Sequence, residues 1–295
     1  MIDVKVHIKV PGTVSWWKKL LWWFRRKHYK IEMPEAWDEV TEKTFWKLMK
    51  HHVRRHSMSE YAFQVLLLRD LLNLPWWLLT LLPKDMVADQ IVPKIAWAAN
   101  LEFSKSITRI VQIGGEKWHL PDQSGEDMTV QQYFLLEESF FKLFSENREE
   151  SAAEFLAAFL RPFTYSFSRH YEKTGMLPTV SQVQLKQYAQ RLEKASPEQV
   201  VFLVHFYGSF RQYIRGLYPK LFEKSGEKDT ESEIDWRSIP PQIAESGVFG
   251  TLQDVLSTPV LSYFAWANAR HQNEKTDQPQ NLQDIIRLNH QKMLN

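Results

Sequence analysis

The chain opens MIDVKVHIKV, in which apolar and polar side chains alternate. That is the period of a half-buried strand, and it lacks the continuous apolar run of a secretory leader. Pro11-Gly12 ends the segment, and a second extended stretch, His28 to Met33, runs up to Pro34. The two are expected to pair as a hairpin. The period then changes: EAWDEVTEKTFWKLMKHH places Thr41 as an N-cap, and Phe45, Leu48, Met49 and His52 follow on one helical face. Farther on, ITRIVQIGGEKWHL alternates around Gly114-Gly115, the signal of a tight two-residue turn. It leads to Pro121, Thr129 and Tyr133, as the first hairpin led to Pro34, Thr41 and Phe45. The device of hairpin, proline and capped helix thus occurs twice, through common ancestry or through convergence on a helix-start signal.

Helical periodicity also predicts helices over 59–73, 84–100, 129–145, 149 to about 171 and 180–194. Ser196-Pro197-Glu198-Gln199 reads as a capping box with proline at the first helical position, launching a long helix through VVFLVHFYGSFRQYIRGL. Residues 224–241 are polar and aperiodic, and Gly250-Thr251 and Thr258-Pro259 start two further helices. The fold class expected is mainly α, a multi-helix domain with one or two small β-hairpins. The predicted organisation is a helical domain over 1–223, carrying the N-terminal hairpin, an amphipathic insertion at 14–27 and a second hairpin near 107–120. A linker at 224–241 and a C-terminal helical appendage at 242–295 complete it.

Composition narrows the chemistry. With no cysteine among 295 residues, disulfides, thiolate catalysis and cysteine-held metals are excluded. Aromatics are abundant and glycine scarce, which favours helices packed through large side chains. The longest apolar run, Leu71 to Leu82, is too short for a membrane span and is broken by Asn73 and Pro75. The net charge is only +2, but residues 1–56 hold thirteen Lys and Arg against six acids. An anionic partner would meet that end.

The basic excess centres on VSWWKKLLWWFRRKHYKI, Val14 to Ile31. On a helical wheel Trp16, Trp17, Leu20, Leu21, Trp23 and Phe24 fill one arc and Lys18, Lys19, Arg25 and Arg26 the other, with Trp22 among the charges. An arc of this kind packs on its own domain, docks in a partner's groove or lies in a membrane interface. Stacking aromatics beside cations also suit nucleic acid, but no nucleic-acid module surrounds them and the whole chain is near neutral. These eleven residues are the candidate partner-binding site.

The remaining constellations read as structural. His52 and His56 share the i, i+4 spacing of metal ligands, but no third ligand is indicated and Arg54 and Arg55 repel a cation, so HHVRRH reads as a solvated basic helix end. His205 in VVFLVHFY reads as a core histidine, and Glu137-Glu138 as solvated positions. No phosphate loop, nucleophile elbow, HExxH or kinase pattern is present. No catalytic residue, cofactor or metal site is therefore expected, and the chain is read as not an enzyme.

Several segments, in order, resemble phage and prophage proteins of tail modules, some of them tail assembly chaperones. They are KIEMPEAWDEVT, KWHLPDQSGEDMTVQQYFLLEESF, FLAAFLRPF and LEKASPEQVVFLVHFYGSF, which together span most of 28–220. WWKKLLWWFRRK and the length of the C-terminal part are not in that pattern. The resemblance implies a non-catalytic protein of virion morphogenesis in the bacterial host cytoplasm, binding another tail component such as the tape measure or tail tube. The alternative is a peripheral membrane protein anchored by the 14–27 helix.

Overall fold

The computed structural model describes residues 2–4, 31–74, 76, 91–103, 108–144, 148–222, 244 and 250–273. It is mainly helical, with a small, open three-stranded sheet and a separate strand pair. By compactness the chain divides into two units, Met1–Ile107 with Pro197–His205 and Thr108–Ser196 with Phe206–Asn295. The predicted linker at 224–241 and the insertion at 14–27 lie outside the described residues.

In the first unit, β1 (Ile2–Val4) pairs antiparallel with β2 (Ile31–Met33), joining Ile2 to Met33 and Val4 to Ile31. This is the expected pairing. Helix α1 (Glu42–Val53) begins where Thr41 accepts the Thr44 N–H, and it buries Phe45, Leu48, Met49 and His52, the face its periodicity marks. Ser59 caps α2 (Glu60–Leu71), whose Phe63, Leu67 and Leu68 are buried. The core is aromatic: Phe45 meets Trp37 at 5.7 Å and Phe202 at 5.0 Å, both edge to face, and Phe103 meets Phe202 at 5.3 Å. Edge-to-face packing sets the positive rim of one ring on the negative face of the next, so these contacts stabilise beyond the area they bury. Of the helix expected at 84–100, the described part is a 3-10 turn (Val92–Ile95) running into the short α3 (Ala96–Ala99). Pro93 has no N–H to give, and 3-10 geometry accommodates it.

In the second unit, β3 (Ile110–Ile113) and β4 (Glu116–His119) form the expected hairpin, with Ile113 opposite Glu116. Gly114 (φ 59°) and Gly115 (φ 85°) both lie in the left-handed region, as a type I′ turn requires. Thr129 caps α4 (Val130–Lys142) in a full capping box, since Gln132 returns a bond to the Thr129 N–H. The helix expected at 149–171 is instead broken into α5 (Arg148–Phe159), β5 (Arg161–Pro162) and α6 (Tyr165–Thr174). The physical reason is Pro162, which disfavours helical geometry at Arg161 and cannot donate to a helix. The freed chain joins the sheet edge, pairing Trp118 with Pro162 and His119 with Arg161, and Thr164 then caps α6.

Ser181 opens α7 (Gln182–Leu192) with a second capping box. Helix α8 (Pro197–Leu217) starts at the predicted proline and continues to α9 (Pro219–Phe222). Its first turns belong to the first unit and the rest to the second. Thr251 caps α10 (Leu252–Ser257), which is followed by α11 (Val260–Asn273). These last helices join the second unit through Val130 N–H to Thr258 O, Val260 N–H to Met128 O, and the Tyr133–Phe264 ring contact at 5.1 Å.

Gly125 sits at φ 77°, and a Cβ built there would lie 2.6 Å from Phe210 Cε2 and 3.0 Å from its Cζ. Phe210 is itself buried. Gly125→Ala should therefore add left-handed strain to overpacking and destabilise by about 2 to 4 kcal/mol. A urea midpoint unchanged from that of the parent chain would refute the tight fit.

Candidate functional site

All eleven candidate residues, Trp16, Trp17, Lys18, Lys19, Leu20, Leu21, Trp22, Trp23, Phe24, Arg25 and Arg26, lie outside the described residues. Among the described residues, chemistry concentrates in two polar clusters of the second unit, in a histidine pair of the first, and in exposed aromatics.

The first cluster forms where the hairpin, the 121–129 loop and α6 meet. Asp127 is buried, and its oxygens accept the Asp122 N–H at 2.8 Å and the Tyr171 O–H at 3.0 Å. Arg109 donates to the Tyr171 hydroxyl at 3.3 Å and to the Asp122 carboxylate. His119 packs against both Phe167 and Tyr171, at 4.9 and 5.1 Å between centroids, and those two rings stack on each other at 5.6 Å. Burial pushes the Asp127 carboxyl up to about 6, and burial together with Arg109 pulls His119 down to about 4. The two shifts oppose each other. Asp127 withdraws stability as pH rises through 6, whereas His119 withdraws it as pH falls from 6.5 toward 4. Both Asp127 oxygens and the Tyr171 hydroxyl are engaged within the protein, so the arrangement serves as a joint that holds α6 against the sheet.

The second cluster corrects the reading of Glu137 as solvated. Glu137 is 5% exposed; it accepts from Tyr207 Oη at 2.6 Å and from Arg211 Nε and Nη2 at 2.6 and 2.9 Å. The Arg211 guanidinium lies over the Phe140 and Phe141 rings, 4.9 and 5.1 Å from their centroids. Sequence offered no signal for this, because the partners lie 70 and 74 residues away and Glu138, next door, is exposed.

HHVRRH is also not a solvated helix end throughout. His51 Nε2 lies 2.6 Å from buried Asp70, which Arg69 also binds through two nitrogens. Burial works against the charged Asp70, yet Arg69 and His51 hold its carboxyl below the usual range. His52 is buried, its Nε2 2.9 Å from the Ala98 carbonyl, while His56 is exposed in a separate 3-10 turn. The two are not joined as ligands, and the described residues contain no group of three or more His, Asp or Glu able to hold a metal. His205, read as a core histidine, is exposed.

Burial pulls His52 from 6.5 to about 4, so the folded unit holds it neutral. Its contribution is complete above the unfolded value of 6.5 and is lost as pH falls toward 4, about 3 kcal/mol in full. Unfolding free energies at pH 7 and pH 4.5 should therefore differ less in His52→Asn than in the parent chain. Equal pH slopes would rule the effect out.

The exposed aromatics are Phe141 and Phe144 at the end of α4, 49% and 69% exposed, Tyr165 on α6 at 82%, and Tyr61, Trp76, Phe163 and Tyr213. Phe144 packs 5.3 Å from Phe140, and Lys142 between them pairs with Glu138 and Glu154. No helix among the described residues is long and apolar enough to cross a membrane. Comparison with known proteins returned no matching family, curated protein or solved structure.

Proposed function

We propose that this chain is a non-catalytic interaction protein of phage tail assembly, which binds another tail component, the tape measure or the tail tube, during virion morphogenesis in the host cytoplasm. The observation that carries the interaction reading is the aromatic surface at the end of α4. Phe141 lies over the Arg211 guanidinium and Phe144 against Phe140, yet about half or more of each residue is left in water. Apolar surface at a helix end suits the apolar stripe of a partner helix. The sequence places further apolar side chains, Trp16, Trp17, Leu20, Leu21, Trp23 and Phe24, at the basic end of the chain. The tail assignment rests on the resemblance of the 28–220 segments. It requires that the neighbouring reading frames encode a major tail protein and a very long tape measure; their absence ends the assignment.

A second reading, peripheral membrane association, is favoured by the tryptophans and cations at 14–27. Co-sedimentation with anionic liposomes separates the two. The membrane reading expects the parent chain to pellet and the variant with Ser at 16, 17, 22 and 23 to stay in solution. The assembly reading expects both in the supernatant.

A further inference from the structure

The first unit carries a cavity of about 190 Å³ lined by Glu35, Ala36, Trp37, Trp97, Asn100 and Glu102. Two of its walls are indoles. Trp37 is fixed, since it is buried, donates Nε1–H to the Asn100 carbonyl at 3.0 Å and packs on Phe45 and Phe103. Trp97 stands against it edge to face, 5.3 Å between centroids and 89° between planes. Glu35 and Glu102 are exposed carboxylates at the rim. The turn that carries Trp37 adds Asp38 and Glu39, and Glu39 accepts the Glu35 N–H at 2.8 Å. Among the described residues, Lys94 lies on the 3-10 turn before Trp97, and Arg55 donates to the Ala99 carbonyl and to Glu60.

We propose that this cavity receives the ammonium group of a lysine side chain from a partner protein. An indole face is negative and attracts a cation; Trp97 is the half-buried ring a ligand reaches, with Trp37, 4% exposed, behind it, and carboxylates at the mouth act on the same charge. Walls at right angles form a corner, which suits a compact ammonium on a flexible apolar stem better than a guanidinium, whose plane stacks flat on a single face. The volume leaves room for that stem against Ala36 and the two rings. The acid-rich mouth adds steering toward a basic partner surface, an effect that weakens with salt.

The test uses the full chain labelled with fluorotryptophan, with the Trp97 fluorine resonance assigned through Trp97→Phe. The probe is Nα-acetyl-lysine methylamide, and the controls are its ε-acetylated form and the arginine counterpart. The proposal expects the lysine probe to shift the Trp97 resonance saturably in the millimolar range, the acetylated form to leave it in place, and the arginine probe to act more weakly. Glu102→Gln, at an exposed position, should weaken the lysine effect about fivefold, the loss of one charged contact of about 1 kcal/mol. An unmoved resonance, an equal shift with the acetylated probe, or an unchanged affinity in Glu102→Gln overturns it.

Discussion

Arg211→Met should destabilise the second unit by about 3 to 5 kcal/mol, the largest single effect expected in the molecule. The change removes two charge-assisted bonds from Glu137 and leaves a carboxylate that is 5% exposed with only neutral tyrosine hydroxyls, Tyr207 and Tyr133, as donors. An uncompensated buried charge is expensive because the interior solvates it poorly. A buried pair, by contrast, contributes little net stability, since the desolvation of both ions offsets most of their attraction. The double variant Arg211→Met with Glu137→Leu should therefore be more stable than Arg211→Met alone. It still leaves the buried Tyr207 hydroxyl without its acceptor, at about 1 to 3 kcal/mol, and takes the Glu137 acceptor from buried Tyr133 as well, so adding Tyr207→Phe should recover part of the remainder. Urea unfolding of the four proteins checks the series. A further loss of stability at each added substitution would show that the cluster does not act as a unit.

Arg161→Leu should lower stability by at least about 3 kcal/mol, because one buried guanidinium serves four carbonyls. Arg161 is 1% exposed; Nη1 donates to the Ala157, Ala158 and Leu160 carbonyls at 2.9 to 3.2 Å, and Nε donates to Pro178 at 3.1 Å. The last carbonyls of α5 have no helical partner of their own, and burial keeps water from them. Positive charge at a helix C-terminus is also favourable against the helix dipole. Burial pulls the group down only to about 10, so it stays charged at neutral pH. Leucine fills some of the volume but donates nothing. Arg161→Lys should restore part of the loss, since it keeps the charge and reaches fewer acceptors. A leucine variant within about 1 kcal/mol of the parent would mean that water reaches these carbonyls.

Where a signal was local, the sequence could be read directly. Thr41, Thr129 and Thr251 each cap a helix, and Gly114-Gly115 turns the predicted hairpin. The face of α1 is the one its spacing marks. One local signal was overridden by a stronger one: FLAAFL keeps helical periodicity up to Arg161, but Pro162 ends the helix there, and the freed chain joins the sheet edge. Glu137, Arg161 and His52 were opaque because what each one binds is distant in sequence or is a backbone carbonyl. Composition does not encode such partners. The cavity was hidden in the same way, since Trp37 and Trp97 come together only through the fold. The candidate site at 16–26 was legible as an amphipathic pattern alone.

The central claim, an interaction protein acting through exposed aromatics, is tested most directly by co-expressing the tagged full chain with the tape measure and tail tube proteins encoded beside it and measuring what co-purifies. The account predicts that one of them is retained in a defined stoichiometry. It also predicts that Phe141→Ser with Phe144→Ser reduces that retention at least several-fold in protein that circular dichroism shows to be folded, a control that Phe141 needs because it also covers the Arg211 guanidinium. Failure of both proteins to co-purify with the parent chain, or undiminished retention by the double serine variant, would contradict it.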